Sequence, residues 1–188
     1  GTLGLSWDAI RTGTDTLSFT VSFDFKNSKT FLLGMPFSFS EGVQDGTSRA
    51  SVLRFGQQYL HRGAEQAWSL SSSFSFGVDM FDATTNADGV ADAQFGSWLG
   101  QGFYVRRFGD VSASARAVAQ IAFDELLPFE QVDLGGADTV RGYRESAIVN
   151  DSLLFASLAA TVPLVDFAPA AIATEGHRGT VSAQPFVS

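Results

Sequence analysis

The residues best suited to specific chemistry lie in one stretch, L-G-G-A-D-T-V-R-G-Y-R-E-S, from Leu134 to Ser146. Gly135, Gly136 and Gly142 lift the Cβ restriction at three positions, so the segment can turn sharply and lie close against another surface. Arg141 stands between Val140 and Gly142, with Tyr143 next and Glu145 just beyond. A guanidinium with five donors beside an aromatic ring suits docking against carboxylates or backbone carbonyls in a confined, polar place. The plainer alternative is a Gly-rich surface loop with a solvated arginine, and these residues alone leave both open.

Catalysis has less to build on. His61 falls in an expected short turn and His177 in an irregular stretch, and both are expected to be solvated loop residues. Asp88 and Asp92 suggest a calcium loop only in part, because the full ligand pattern is missing, so a polar loop is the better reading. No G-x-S-x-G and no phosphate-binding Gly loop is present. The serines sharing a face with Asp79 have no nearby base to activate them. With 0 cysteines there is no disulfide framework, thiolate metal site or cysteine nucleophile. The expectation is a protein that is not an enzyme and needs neither metal nor cofactor.

The elements that must position this stretch are strands. Charged residues make up 17% of the 188, below the roughly 25% usual in soluble domains. Aromatics reach 13%, including 18 Phe, which with abundant Gly, Ser and Thr favours strands and turns over helices. A net charge of −8 removes the electrostatic basis for binding nucleic acid. No window approaches the roughly 18 apolar residues of a transmembrane helix. Gly1–Gly4 has neither the positive charge nor the apolar run of a signal peptide. Both ends fall inside strand-like stretches, so the chain is expected to be part of something longer.

In order, strands are expected at Thr2–Ile10, Leu17–Lys26, Thr47–Leu60, Trp68–Met80, Gln94–Phe108, Val111–Asp124, Asp151–Val162 and Val181–Ser188. Leu17, Phe19, Val21, Phe23 and Phe25 share one face of the second, opposite Ser18, Thr20, Ser22, Asp24 and Lys26. In the third, Leu53, Phe55 and Tyr59 oppose Arg54, Gly56 and Gln58, and in the fourth Ser69, Ser71, Ser73 and Ser75 run along one side. Pro36 argues against a central strand within the long 27–46 connection. These are about eight strands of some 10 to 15 residues, whereas soluble strands average about 5 to 6 and tilted bilayer-spanning strands need about 9 to 11. The connections alternate short and long (11–15, 27–46, 61–66, 82–91, 109–110, 126–150), as periplasmic turns and extracellular loops do in outer-membrane barrels. Only 163–179 breaks the alternation. Trp7, Trp68, Trp98 and Tyr59 suit interfacial girdles on a lipid-facing band.

Strand length, loop parity and Val140-Arg141-Gly142-Tyr143 together resemble the outer-membrane transporters of two-partner secretion, the hemolysin secretion/activation family. Leu126-Leu127-Pro128, Gly135-Gly136, Arg144-Glu145, Asp151, Trp98–Gln101 and Val52–Gln57 are similar in spacing and type, so the resemblance covers essentially the whole chain. It implies an all-β, antiparallel transmembrane β-barrel fragment: about eight strands of a 16-stranded barrel in the bacterial outer membrane. Residues 1–188 would be a partial barrel domain, without the periplasmic transport-associated domains or the last strands. The implied activity is export of a large exoprotein, adhesin or hemolysin-like, with outer-membrane lipid as the other partner and no nucleic acid or nucleotide. The family's motif loop folds into the lumen, where its arginine meets acidic residues of the wall. Here Ser188, Ala159 and Thr161 stand where acidic or polar wall residues are expected, which leaves Asp124 and Asp79 as possible partners for Arg141. An assembly or translocation insertase of the same superfamily is the alternative, followed by a porin-like channel and a soluble β-sandwich. With both edges unpaired, the fragment is not expected to fold alone.

Overall fold

The computed structural model describes residues 1–36, 47–80, 93–128, 130–134, 148–167, 179–183 and 185–187. Alternating apolar and polar residues produce β1 (Thr2–Arg11), β2 (Asp15–Lys29), β3 (Phe31–Leu32), β4 (Met35–Pro36), β5 (Thr47–Arg62), β6 (Gln66–Val78) and β7 (Gly96–Phe108). They are followed by β8 (Val111–Ala122), β9 (Val132–Leu134), β10 (Ile148–Asn150), β11 (Leu153–Phe167), β12 (Gly179–Ala183) and β13 (Phe186–Val187). The main sheet runs β1-β2-β5-β6-β7-β8-β11-β12, with β13 also on β11, and every pairing in it is antiparallel. Two short hairpins, β3–β4 and β9–β10, stand apart from it. The sheet is open across the described residues. β2, β5 and β11 run to 15, 16 and 15 residues, long enough to cross a bilayer at a tilt.

Register carries the two faces through the sheet. One transverse row reads Val21, Phe55, Phe74, Trp98 and Ile121, while the next reads Ser22, Arg54, Ser75, Ser97 and Ala122. Leu5, Leu70, Phe76, Ile121 and Leu154 on the apolar face are all exposed, a surface suited to lipid. On that same face Trp98 folds flat along the wall, and its Nε1 donates to Ser72 Oγ at 2.9 Å. The indole lies over Gly100, where a Cβ would stand 2.6 Å from the ring. Trp7 stacks on Phe19, and Trp68 packs against Tyr59 near the short-turn end.

Several boundaries differ from the sequence expectation. β2 continues to Lys29, and the following turn, with Leu33 at φ 53° and Gly34 at φ 82°, makes the β3–β4 hairpin. Pro36 accordingly sits off the main sheet. β11 runs through Pro163 to Phe167 with a register shift between Pro163 and Val165, so the 163–179 connection narrows to 168–178. A bulge lets a proline sit in a ladder that it would otherwise interrupt. The eighth expected strand is divided: β12 pairs with Val162–Phe167 and β13 with Leu158–Ala159, with Pro185 between them. His61 is not in a turn but inside β5; its Nδ1 lies 2.8 Å from Asp15 Oδ1, and its ring rests by Trp68. Pairing with β2 as far as Asp15 extends β5 through this histidine.

Candidate lumen site at the root of the motif loop

The polar face is concentrated on β2, β5 and β6, and its central charged residue is Arg54. Arg54 Nε donates to Asp24 Oδ2 at 2.8 Å, and its Nη1 donates to Ser75 Oγ. Asp24 and Arg54 are two rows apart on the same face of paired strands, so the sheet register itself brings them together. Lys26 continues the row on β2 toward the long-connection end.

The chain that leaves β8 turns back over this face. Leu126 and Leu127 are buried with Ala50, Val52, Ala93 and Phe95, and Ala122 packs against the same cluster. Residues 93–95 arrive from the other long connection and cross at Gly77, whose N–H donates to Phe95 O at 2.8 Å. A Cβ at Gly77 would stand 2.0 Å from Ala93 O, so only glycine admits that crossing. Small residues on the wall therefore receive large ones from two incoming segments.

Glu130 completes the arrangement. Its Oε1 and Oε2 accept from Arg54 Nη2 at 2.8 and 2.7 Å, and Oε1 also accepts from Lys26 Nζ at 2.7 Å. Its side chain is 5% exposed, a carboxylate position that is tolerable only when paired in this way. Gln120 Nε2 bridges Glu130 O and Asp151 O at 3.2 and 3.1 Å, and Gln131 Nε2 donates to Asp151 Oδ1 at 2.7 Å. β9 and β10 then pair, Leu134 opposite Ile148, so both feet of the motif stretch belong to one stem.

Of the residues singled out in the sequence, Val140, Arg141, Gly142 and Tyr143 lie outside the described residues, as do Gly135, Gly136, Glu145, His177 and Ser188. Asp124 and Asp79 are both exposed, and Asp124 Oδ2 accepts the Gly96 N–H at 3.0 Å. Ala159 and Thr161 pair with Ser114 and Ser112 on the polar rows. The face is not polar throughout, since Val118 and Phe155 are buried there with Leu99 and Leu153 packed against them. Glu130 was not among the residues the sequence singled out. Its signal was the pair Lys26 and Arg54, two cations on the serine-bearing face close to the single carboxylate of Asp24. Among the described residues no three metal-ligating side chains converge.

The family model for haemolysin secretion/activation protein ShlB/FhaC/HecB matches residues 1–157. The chain belongs to this family. Haemolysin secretion/activation proteins of this kind are outer-membrane β-barrels, which places the apolar face against lipid and the Arg54 face in the lumen. Among solved structures, CdiB from Escherichia coli is similar at 22% identity and TM-score 0.75, over 89% of this chain and 31% of that one. The chain thus spans about a third of the length of the protein it matches, and the likeness extends to the fold. No curated protein matches the chain.

Proposed function

We propose that the chain is the lumen-lining wall of a two-partner secretion transporter that passes a large exoprotein, adhesin or hemolysin-like, from periplasm to cell surface. The family match over residues 1–157 carries this reading. The lumen face supports it: near the short turns it is lined by Gln58, Ser69, Ser71 and Gln101 beside Phe103 and Arg116, a mostly uncharged surface whose hydroxyls and amides can hydrogen-bond an extended chain. No nucleotide is available outside the inner membrane, so folding of the exported chain at the surface supplies direction. Arg141, with Val140, Gly142 and Tyr143, is the residue set assigned to anchoring the motif loop, and Asp124 and Asp79 remain its proposed partners. Arg141→Ala in the full-length protein is expected to lower secretion by about tenfold or more while the barrel still inserts. Wild-type secretion by a correctly inserted Arg141→Ala protein would overturn the assignment.

A further inference from the structure

The wall of the lumen holds a receptor for a carboxylate, and the loop root supplies the carboxylate. Lys26 and Arg54 bring two cations to this patch of wall, and Glu130 pairs with both while Asp24 pairs with Arg54. The receptor does not depend on Glu130 alone, because Asp24 and Ser75 hold the guanidinium from strands on either side of β5. A fixed fork presents both Nη2 hydrogens toward one carboxylate, and Lys26 closes over the nearer oxygen.

We propose that Glu130 and Arg54 are positioning residues that lock the stem of the motif-bearing connection against the lumen wall, as an anchor separate from Arg141. The polarity is opposite to that assigned to Arg141: here the cation belongs to the wall and the anion to the loop. The lock acts on the stem because Glu130 adjoins Gln131, which is tied to Asp151, and Asp151 directly follows β10. Both feet therefore move with the carboxylate. An ionic lock differs from the neighbouring Leu126–Leu127 contact in being exchangeable, since any anion reaching the wall can compete for Arg54. Only its consequence for export rests on the transport reading; the lock itself rests on the geometry.

The test uses the full-length protein in lipid vesicles, with a single cysteine at Val132 on the stem and a membrane-impermeant maleimide as probe. Glu130→Gln is expected to raise the labelling rate on the order of tenfold or more, because it removes the charged acceptor of both Arg54 and Lys26. Glu130→Asp is expected to restore part of the protection, and Lys26→Gln to raise labelling by a smaller factor. Unchanged heat-modifiable mobility on gels verifies the barrel in each variant. Equal labelling of Glu130→Gln and its parent overturns the lock, and should that variant fail to assemble, equal labelling of Lys26→Gln and the parent does so. Secretion is scored separately: raised labelling with normal export leaves the lock standing and removes its role in transport.

Discussion

The two ends of the lumen wall are built from the same strands and do opposite things. Near the long connections the row positions shrink to Ala50, Val52 and Gly77, and incoming chain covers them with Phe95, Leu126, Leu127 and Glu130. Near the short turns the equivalent positions are Gln58, Ser69, Ser71 and Gln101, which line an open recess together with Phe103 and Arg116. One end is filled like a protein interior, where packing and pairing determine energy. The other is left wet, where a hydroxyl trades one partner for water at little cost. The difference teaches that the outer mouth is occupied by design of the wall, through residue size as well as charge.

Three measurements on the full-length protein would break or sharpen this contrast. The largest effect belongs to Gly77→Leu, since even its Cβ overlaps the Ala93 carbonyl. Displacing the 93–95 crossing is expected to cost about 3 kcal/mol or more, read as a lowered thermal midpoint of the barrel, whereas Ser73→Leu on the same strand should cost far less. An equal loss for both would erase the distinction between filled and wet ends. Next comes Leu127→Ala, which empties a fully buried site and is expected to cost about 2–5 kcal/mol locally. Faster proteolysis within residues 126–134 of the folded barrel is the expected sign, and unchanged cleavage would show that the leucine is not what holds this segment down. The smallest is a pair of serines. Ser75→Ala removes a buried hydroxyl bonded to Arg54 and is expected to cost about 0.5–1.5 kcal/mol, against nearly nothing for Ser71→Ala.

Much of this architecture was legible in the residues. The alternation at 17–26 and 47–60 puts Leu17, Phe19, Phe23, Phe25, Leu53 and Phe55 on the lipid side and Arg54 on the other, because a strand has only two faces and register passes them on. The strand ends were less legible. β11 passes Pro163 because a register shift accommodates it, and β5 reaches His61 because Asp15 and Trp68 hold it, both of which are tertiary facts. The filled outer mouth was hardest to foresee. Leu126-Leu127 reads as a motif fragment, but nothing local says that two leucines after a strand will fold back onto Ala50 and Val52. Glu130 was invisible for the same reason: an acidic residue in a polar connection has solvent as its ordinary partner, and only the cation facing it across the sheet says otherwise.

Trp98 has a different lesson for how the barrel sits in its membrane. A tryptophan at a bilayer boundary ordinarily seeks the headgroups with its N–H, and so fixes the depth at which a wall floats. Here that hydrogen is already given to Ser72, and the ring is laid along Gly100. Trp98 therefore sets no waterline at the outer rim. At the opposite rim Trp68 and Tyr104 stand side by side and Arg106 lies over the Phe108 ring, so aromatic and cationic groups of the kind that meet headgroups gather at the short-turn edge.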